Sequence, residues 1–298
     1  GLEKLPSLAD GDGVVTVVKV GTGDVVRRAD DSVGPLAVGD AIINADGQTV
    51  TFDGAPVATS QMVVEFTMRP TVWSDGTPVN AADSVYSFNL AADPATTAPK
   101  YVIERTAAYE ATGELSARWT GLPGFTDSTY FINFWRPLPE HLWGEFTAAE
   151  LMQAEESNRR PVGDGPFVIQ QWTPGESIRL ARNPYYYRAD EGLPYLDRVT
   201  IKFIPDTDQL LAQLLNGQCD VGTQDGLNAD TAPALLEAEA SGLLIPYFQT
   251  GTTFQHVDFN VNPFGEAAEA RSDWFEDARI RQAMMLCTCL LYTSDAAD

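Results

Sequence analysis

PVGDGPFVIQQWTPGESIRLARNPYYYRADEGLPYLDRVTIKFIPDTDQLLAQLLNGQCDV, residues 161–221, decides how the rest of the chain is read. Gly165-Pro166 leads into an alternating run at 167–172, and Thr173-Pro174-Gly175-Glu176 turns the chain back into a second run at 177–181. The pattern predicts a hairpin. Asn183-Pro184 ends it, three tyrosines and a polar loop follow, and 198–204 alternates again with Val199, Ile201 and Phe203 on one face. A helix comes next, capped by Asp206 or Thr207, striped by Leu210, Leu211, Leu214 and Leu215, and closed by Asn216-Gly217. Cys219-Asp220-Val221 reads as a short strand, which makes the stretch a strand, helix and strand of an α/β fold.

Towards the N-terminus the chain is rich in β signals. Residues 14–20 are mostly β-branched, Gly21-Thr22-Gly23-Asp24 is a turn, and Val25-Val26 opens a partner, so a hairpin is predicted there. Asp46-Gly47 and Asp53-Gly54 flank a short strand at 49–52, and 62–68 alternates with Val64, Phe66 and Met68 on one face. Asn80 caps a helix to Ala92, with Asp83 in its first turn and Val85, Phe88 and Asn89 sharing a face. Signals over 93–124 are mixed, with one strand at 114–119, and 130–135 is apolar and aromatic until Pro137 and Pro139. Thr147 and Glu150 have capping-box spacing for a helix to Glu155. Beyond the opening stretch, a loop at 222–227 precedes a helix capped by Asn228 or Asp230 and carrying Leu235 and Leu236 to Ser241-Gly242. Residues 243–248 and 254–260 read as extended, and a last helix starts near Asp273 and passes through Met284.

At 298 residues the chain exceeds an ordinary single domain, and two lobes are expected. Nineteen basic residues against 42 acidic give a net charge of -23, which argues against nucleic acid and anionic membranes, since both are held by clustered Lys and Arg. No run approaches the roughly 18 apolar residues that span a bilayer. The chain begins at Gly1 with no Met, basic n-region or apolar h-region, so it reads as a processed protein or a piece of a longer one. Cys219, Cys287 and Cys289 lack both a disulfide framework and zinc spacing.

Catalytic signatures fail one by one. His141 and His256 are the two histidines, which excludes a His-rich metal site and an HExxH helix. The Gly pairs at 21/23 and 163/165 lack the third glycine of a dinucleotide loop and any P-loop lysine, and no Gly-x-Ser-x-Gly elbow exists. Asp10-Gly11-Asp12-Gly13 starts like a calcium loop, but Val14 stands where the third oxygen ligand belongs. Carboxylates are so abundant that chance pairs give no specific support to a glycosidase. No catalytic residue, metal site or cofactor is therefore assigned. Aromatic clusters at Phe131, Phe134, Trp135 and Tyr185-Tyr186-Tyr187 serve core packing or line a cleft between lobes.

Several segments, in order, resemble the extracellular solute-binding proteins of ABC transporters, family 5, which bind oligopeptides, dipeptides and nickel chelates. They are Pro6-Ser7-Leu8-Ala9-Asp10 (P-x-L-A-E/D), Val64 to Arg69 (F-x-L-R), Trp73 to Val85 (F-x-D-G-T-P-V/L-T-A-x-D-V) and Pro161 to Phe167 (P-I/V-G-T-G-P-Y). Asn183 to Tyr187 (N-P-D-Y-W), Gly217 to Val221 (G-x-x-D-V), Phe259-Asn260 and Phe275 to Ala283 (F-x-D-x-R-V-R-Q-A) continue the order. Asp164 replaces the usual Thr, and Tyr185-Tyr186-Tyr187-Arg188 replaces D-Y-W.

The resemblance implies a two-lobed, type II periplasmic-binding-protein-like α/β fold with an extra mixed α/β domain, incomplete in this chain. On that mapping 1–10 end the first pass through lobe I, 11–150 form the extra domain, 151–262 return to lobe I, and 263–288 start the opposite lobe. The tail CLLYTSDAAD, residues 289–298, reads as translated sequencing adapter where the family would continue a helix. A lobe-two helix bearing Ile280, Met284 and Met285 would then expose apolar surface. The implied role is the substrate-binding component of an importer: a monomer that captures a small ligand, most often a peptide, between its lobes and meets ABC permease subunits in the membrane. No bond is made or broken. The place is periplasmic or extracellular, as a lipoprotein or a secreted protein. Thr223, Gln224, Asp225 and Gly226, at a strand end, and Thr252, Phe254 and His256, near the hinge, are the candidate ligand contacts, with loop capping and core packing as the other reading. A secreted glycosidase-like hydrolase and a non-transport receptor or chaperone of the same fold are the alternative functions.

Overall fold

A computed structural model describes residues 1–227, 229–248, 257–261 and 274–287, which fall into two units, Gly1–Lys202 and Phe203–Asp298. The alternation at 62–68 becomes part of a longer strand in the first unit. Strand β1 (Gly13–Val20) pairs antiparallel with β6 (Val57–Thr67), and β6 pairs on its other side with β8 (Ser116–Gly121), which pairs with β7 (Thr106–Gly113). The resulting sheet has the order β1-β6-β8-β7. Val64, Phe66 and Met68 are buried as expected, and Ala117 and Trp119 of β8 join them in one core. Trp119 satisfies its indole N–H inside that core by donating to Thr106 Oγ1 at 2.7 Å.

The predicted hairpin between residues 14–20 and Val25-Val26 does not form. Strand β2 (Val25–Arg27) pairs instead with β3 (Val33–Pro35), and β1 finds eight partners on β6, from Gly13 opposite Val64 to Val20 opposite Val57. A three-residue neighbour cannot compete with a ladder of that length. Two bonds bracket the redirected chain: Gly23 N donates to Leu36 O and Leu36 N to Asp24 O, both at 2.8 Å. Strands β4 (Ala41–Ile43) and β5 (Thr49–Thr51) add a second ribbon, and Val20, Val26, Leu36, Ile42 and Phe52 close a small core of their own. Gly124 lies where only glycine fits, with φ of 84° and Arg27 O placed 2.6 Å from any added Cβ.

Helix α1 (Ala81–Ala92) has the predicted Asn80 cap, with Asn80 Oδ1 accepting from Ala82 N at 2.8 Å and Asp83 N at 3.2 Å. Its buried positions are Ala81, Asp83, Ser84 and Ser87, whereas Asn89, expected on the apolar face, is exposed. The reason is polar: Ser84 Oγ bonds Tyr109 Oη and the carbonyl of Trp135, so the helix docks through small side chains while Val85 and Phe88 pack along the rim. Burial pushes the Tyr109 phenol up to about 12. Four-residue helices follow at α2 (Tyr101–Glu104), α3 (Glu140–Trp143), α4 (Ala148–Leu151) and α5 (Glu155–Asn158). The Thr147–Glu150 capping box forms, yet the helix expected to reach Glu155 stops after one turn. Ala154 is extended, and Asn158 Nδ2 takes the carbonyl of Leu151 at 3.3 Å, so a polar side chain replaces the helix ladder.

The opening stretch folds as read up to Lys202. Strands β9 (Phe167–Thr173) and β10 (Ser177–Arg182) form the hairpin, with a register shift between Arg179 and Leu180, and β11 (Arg198–Lys202) adds to β10. In the second unit Asp206 caps α6 (Thr207–Leu215), accepting from Gln209 N at 2.7 Å, and Gly217 ends it at φ 68°. Cys219-Asp220-Val221 is not a strand, nor are 243–248 or 257–260. Among the described residues the second unit has no strand with which they could pair, and a lone extended segment leaves its backbone groups to water. Helix α7 (Ala232–Ala240) is entered through Thr231, which makes no side-chain cap bond, and buries Leu235 and Ala238 while Leu236 stays exposed. Helix α8 (Ala278–Cys287) follows a single turn at Trp274–Glu276, and Met284 and Met285 on it are exposed.

Candidate functional site

Three of the segments quoted from the sequence meet in the first unit although the outer two lie more than a hundred residues apart. The turn at Trp73-Ser74-Asp75-Gly76-Thr77 is closed by Trp73 N donating to Thr77 O at 2.8 Å and Gly76 N to Trp73 O at 2.9 Å. Gly76, at φ 94°, gives the turn its left-handed residue and lets the Tyr185 ring approach to 3.3 Å of where a Cβ would stand. Ser74 N then donates to Gly163 O at 2.9 Å, tying this turn to the Pro161–Phe167 segment.

Asn183 closes the other side. It is fully buried, its N donates to Pro166 O at 2.9 Å, its Nδ2 donates to Gly165 O at 2.8 Å, and its Oδ1 accepts from Tyr185 N at 2.9 Å. One asparagine therefore positions both the Gly163-Asp164-Gly165-Pro166 turn and the three tyrosines after it. Asp83 plays the matching part on α1: its Oδ2 accepts from Asn80 N at 3.0 Å and from Trp73 Nε1 at 3.4 Å, and its Oδ1 from Glu140 N at 3.3 Å.

Beside this junction is a cavity of about 330 Å³. Arg69, Thr71, Arg136, Asp164, Tyr186 and Tyr187 are among its walls. Arg136 Nη2 pairs with Asp164 Oδ1 at 3.1 Å, and the Arg69 guanidinium stands 5.3 Å over the Tyr187 ring. Thr71 is buried and its Oγ1 has no hydrogen-bond partner among the described residues. A second cavity, of about 410 Å³, lies in the 11–150 region with Arg27, Asn44, Ser60, Tyr101 and Asp127 among its walls. Both present polar and aromatic side chains to their interiors. Arg69 was legible as the last residue of the F-x-L-R segment; Thr71 and Arg136 carried no spacing that would single them out.

At the Trp73–Thr77 turn, His141 Nε2 and Asp75 Oδ2 are 2.7 Å apart. Burial disfavours the Asp75 carboxylate, but the bonds from His141 and Thr77 outweigh it and hold its pKa below the ordinary carboxylate value. A folded-state pKa below the unfolded one gives stability that is complete above the unfolded value and is lost as pH falls through the folded one. Urea midpoints measured from neutral pH down into the acid range are therefore expected to fall more steeply for the wild-type chain than for Asp75→Asn below the ordinary Asp range. Parallel curves would remove Asp75 as an acid-sensitive tie.

The candidate contacts read from the sequence are placed as follows. Thr223, Gln224 and Asp225 are exposed on a turn after α6, where Gly226 N donates to Thr223 O at 3.1 Å. Gly226 is there because a Cβ would come within 2.5 Å of Leu210. Thr252, Phe254 and His256 lie outside the described residues. Among the described residues no group of three or more His, Cys, Asp and Glu side chains could hold a metal ion, and no helix is long and apolar enough to cross a membrane.

Residues 56–289 match the family described as bacterial extracellular solute-binding proteins, family 5 Middle. The oligopeptide-binding protein AppA of Bacillus subtilis (strain 168) is 31% identical over 147 residues, 49% of this chain and 24% of AppA. Protein XP55 of Streptomyces lividans is 29% identical over 211 residues, 68% of this chain and 34% of XP55. Among solved structures, AppA from Bacillus subtilis in complex with a nonapeptide is 25% identical, covering 66% of this chain and 36% of AppA, with a TM-score of 0.46. NikZ from Campylobacter jejuni in complex with Ni(L-His) is 22% identical, covering 67% of this chain and 36% of NikZ, with a TM-score of 0.44. The chain spans less than half the length of these relatives. All three segments that meet at the junction fall within the family match at 56–289, and this mixed α/β chain belongs to the bacterial extracellular solute-binding proteins, family 5.

Proposed function

We propose that the protein containing this chain is the substrate-binding component of an ABC importer, and that it captures a small ligand, a peptide above all, between two lobes and delivers it to a membrane permease. The family match over residues 56–289 carries this reading, and the name of the relative AppA, an oligopeptide-binding protein, favours peptides. In this reading 1–10 and 151–262 belong to lobe I, 11–150 to the extra domain, 263–288 to the opposite lobe, and 289–298 is appended sequence. The work is binding rather than turnover: ligand free energy biases an equilibrium between open and closed lobes, and the permease reads the closed form. The protein acts outside the cytoplasmic membrane, as a lipoprotein or in secreted form.

Thr223, Gln224, Asp225 and Gly226, with Thr252, Phe254 and His256, are proposed as the lobe I side of the ligand cleft. The exposed Thr223–Asp225 turn supports this for the first group, because its polar side chains are not consumed by a core. Calorimetry of the full-length gene product against a panel of peptides, sugars and nickel chelates tests the function. Peptide binding is expected, with Gln224→Ala weakening it by about tenfold, the loss of one good hydrogen bond, and leaving the melting temperature unchanged. No heat from any of the three ligand classes would overturn the reading.

A further inference from the structure

The cavity of about 410 Å³ has the size of a small-molecule site, and nothing in the transport reading uses it. Its walls all come from residues 27–128, so it is built within one continuous stretch of the first unit. Arg27 and the 43–47 turn precede the family match, which begins at residue 56, whereas Ser60, Tyr101 and 124–128 lie inside it. Backbone bonds fix these walls to one another: Arg27 N donates to Pro123 O at 2.9 Å, Ala45 N to Ala58 O at 2.8 Å and Gly124 N to Ser60 O at 2.8 Å. A ligand would therefore meet a preformed surface and lose little free energy in ordering it.

One wall carries a surplus of positive charge. Among the described residues, Arg27 and Arg105 share the carboxylate of Asp31, which accepts from Arg27 Nε at 2.9 Å and from Arg105 Nη2 at 2.8 Å. Asp31 is held at φ 70°, a left-handed conformation that a non-glycine residue keeps only where its surroundings impose it. Because Asp31 takes Arg27 through Nε, the two Nη groups of Arg27 make no hydrogen bond among the described residues. They are the planar pair of donors that binds a carboxylate by two parallel bonds. In a chain of net charge -23, a guanidinium left over in a concave wall points to an anion.

The rest of the lining sets the kind of anion. Asn44 Oδ1 accepts from Asp46 N at 3.1 Å and Gln48 N at 2.8 Å, which leaves Nδ2 as a donor without a partner among the described residues. The hydroxyls of Ser60 and Ser128 are likewise unpaired among those residues. Tyr101 and Phe125 meet edge to face at 6.3 Å and supply an apolar side. Asp127 is the one carboxylate in the lining, and it accepts from Thr129 N, Thr129 Oγ1 and Asn133 Nδ2. Its charge opposes a second negative charge on any occupant.

We propose that this cavity is a second binding site, for a small organic acid with one carboxylate and a tail bearing hydroxyl or amino groups. The carboxylate pairs with the Nη atoms of Arg27, and the tail hydrogen-bonds Asn44, Ser60 and Ser128. The site is separate from a ligand cleft between lobes and does not depend on that cleft's ligand.

Calorimetry of the full-length gene product tests the proposal, with gluconate as a hydroxy acid, glutamine as an amino acid, citrate as a multiply charged acid and glucose as a neutral polyol. Binding of gluconate or glutamine is expected, and which of the two binds tells a hydroxyl tail from an amino one. Citrate and glucose should bind about tenfold more weakly or worse, since one adds charge and the other lacks the carboxylate. Arg27→Gln removes the donor pair and is expected to weaken binding by about tenfold or more, with Arg27→Lys in between because it keeps the charge alone. Asn44→Asp keeps the acceptor for Asp46 N and Gln48 N, so the melting temperature should hold, while a carboxylate replaces the donor and weakens binding by a similar factor. That variant decides the matter even if Arg27→Gln unfolds. An acid held between the lobes would bind all three variants as it binds wild type, and that result would overturn the proposal. So would the absence of heat from both gluconate and glutamine, or citrate or glucose binding as tightly as they do.

Discussion

Replacing Asp83 with alanine is expected to cost the first unit about 3 kcal/mol of unfolding free energy, read as a lower urea midpoint by tryptophan fluorescence. The side chain is 3% exposed and is the acceptor for Asn80 N, Trp73 Nε1 and Glu140 N, two donors from its own segment and one from the start of α3. Alanine strands the buried Trp73 Nε1 and takes the acceptor from the partly buried Asn80 N and Glu140 N, and the penalty for stranding a buried donor exceeds the net gain of making its bond. Trp73 belongs to the same core as Phe66 and Met68, so the loss should also loosen the packing around its indole. Asp83→Asn keeps the shape and one good acceptor and should lie between wild type and alanine. A loss below about 1 kcal/mol for Asp83→Ala would mean that the three donors find other partners, and that Asp83 is an N-terminal helix residue and nothing more.

Asn183→Ala should be as damaging, at about 3 kcal/mol by the same measurement, because it removes a fully buried side chain, leaves a void, and takes their partner from Gly165 O and Tyr185 N. Here the charged isostere is informative. Asn183→Asp retains the acceptor for Tyr185 N but turns a carboxylate towards the carbonyl of Gly165, so it should be no better than alanine. The expected order, wild type well above both variants, differs from that at Asp83, where the isostere rescues in part. The contrast follows from chemistry: Asp83 only accepts, whereas Asn183 must donate and accept at once. Should Asn183→Asp match wild type, the junction would not depend on the bond to Gly165. Since Asp164, Tyr186 and Tyr187 are carried on the two segments that Asn183 joins, loss of that bond also loosens walls of the adjacent cavity.

Much of this was legible because it is local. Asn80, Thr147 and Asp206 cap helices by bonds that reach no further than three residues, and a residue type at fixed spacing is enough to specify such a bond. The hairpin at β9 and β10 likewise follows from Thr173-Pro174-Gly175-Glu176 and the alternation on either side. The errors share the opposite property. Val14 to Val20 was correctly read as a strand, yet its partner is set by which distant segment offers the longer ladder, and β6 lies some forty residues away. Cys219-Asp220-Val221 had the composition of a strand and no neighbour to make it one. Strand β7, with the sequence TAAYEATG, carried little β signal and is held in place by pairing with β8.

The same division runs through the candidate site. The order of the segments along the chain, from Val64 to Ala283, was enough to assign the family, since each is a string of residue types whose recognition needs no third dimension. By itself the sequence also determined the acidic surface, the helix caps and the lack of a His-based metal centre. Only the tertiary structure decided that Trp73–Asp83, Pro161–Phe167 and Asn183–Tyr187 meet, that Ser74 and Asn183 carry the bonds joining them, that Asp83 ties the first of them to Glu140, and that Thr71 and Arg136 share a cavity wall. Those contacts join residues tens of positions apart. They form because folding has already bought the chain closure that makes such groups neighbours, and a one-dimensional pattern carries no record of that distance.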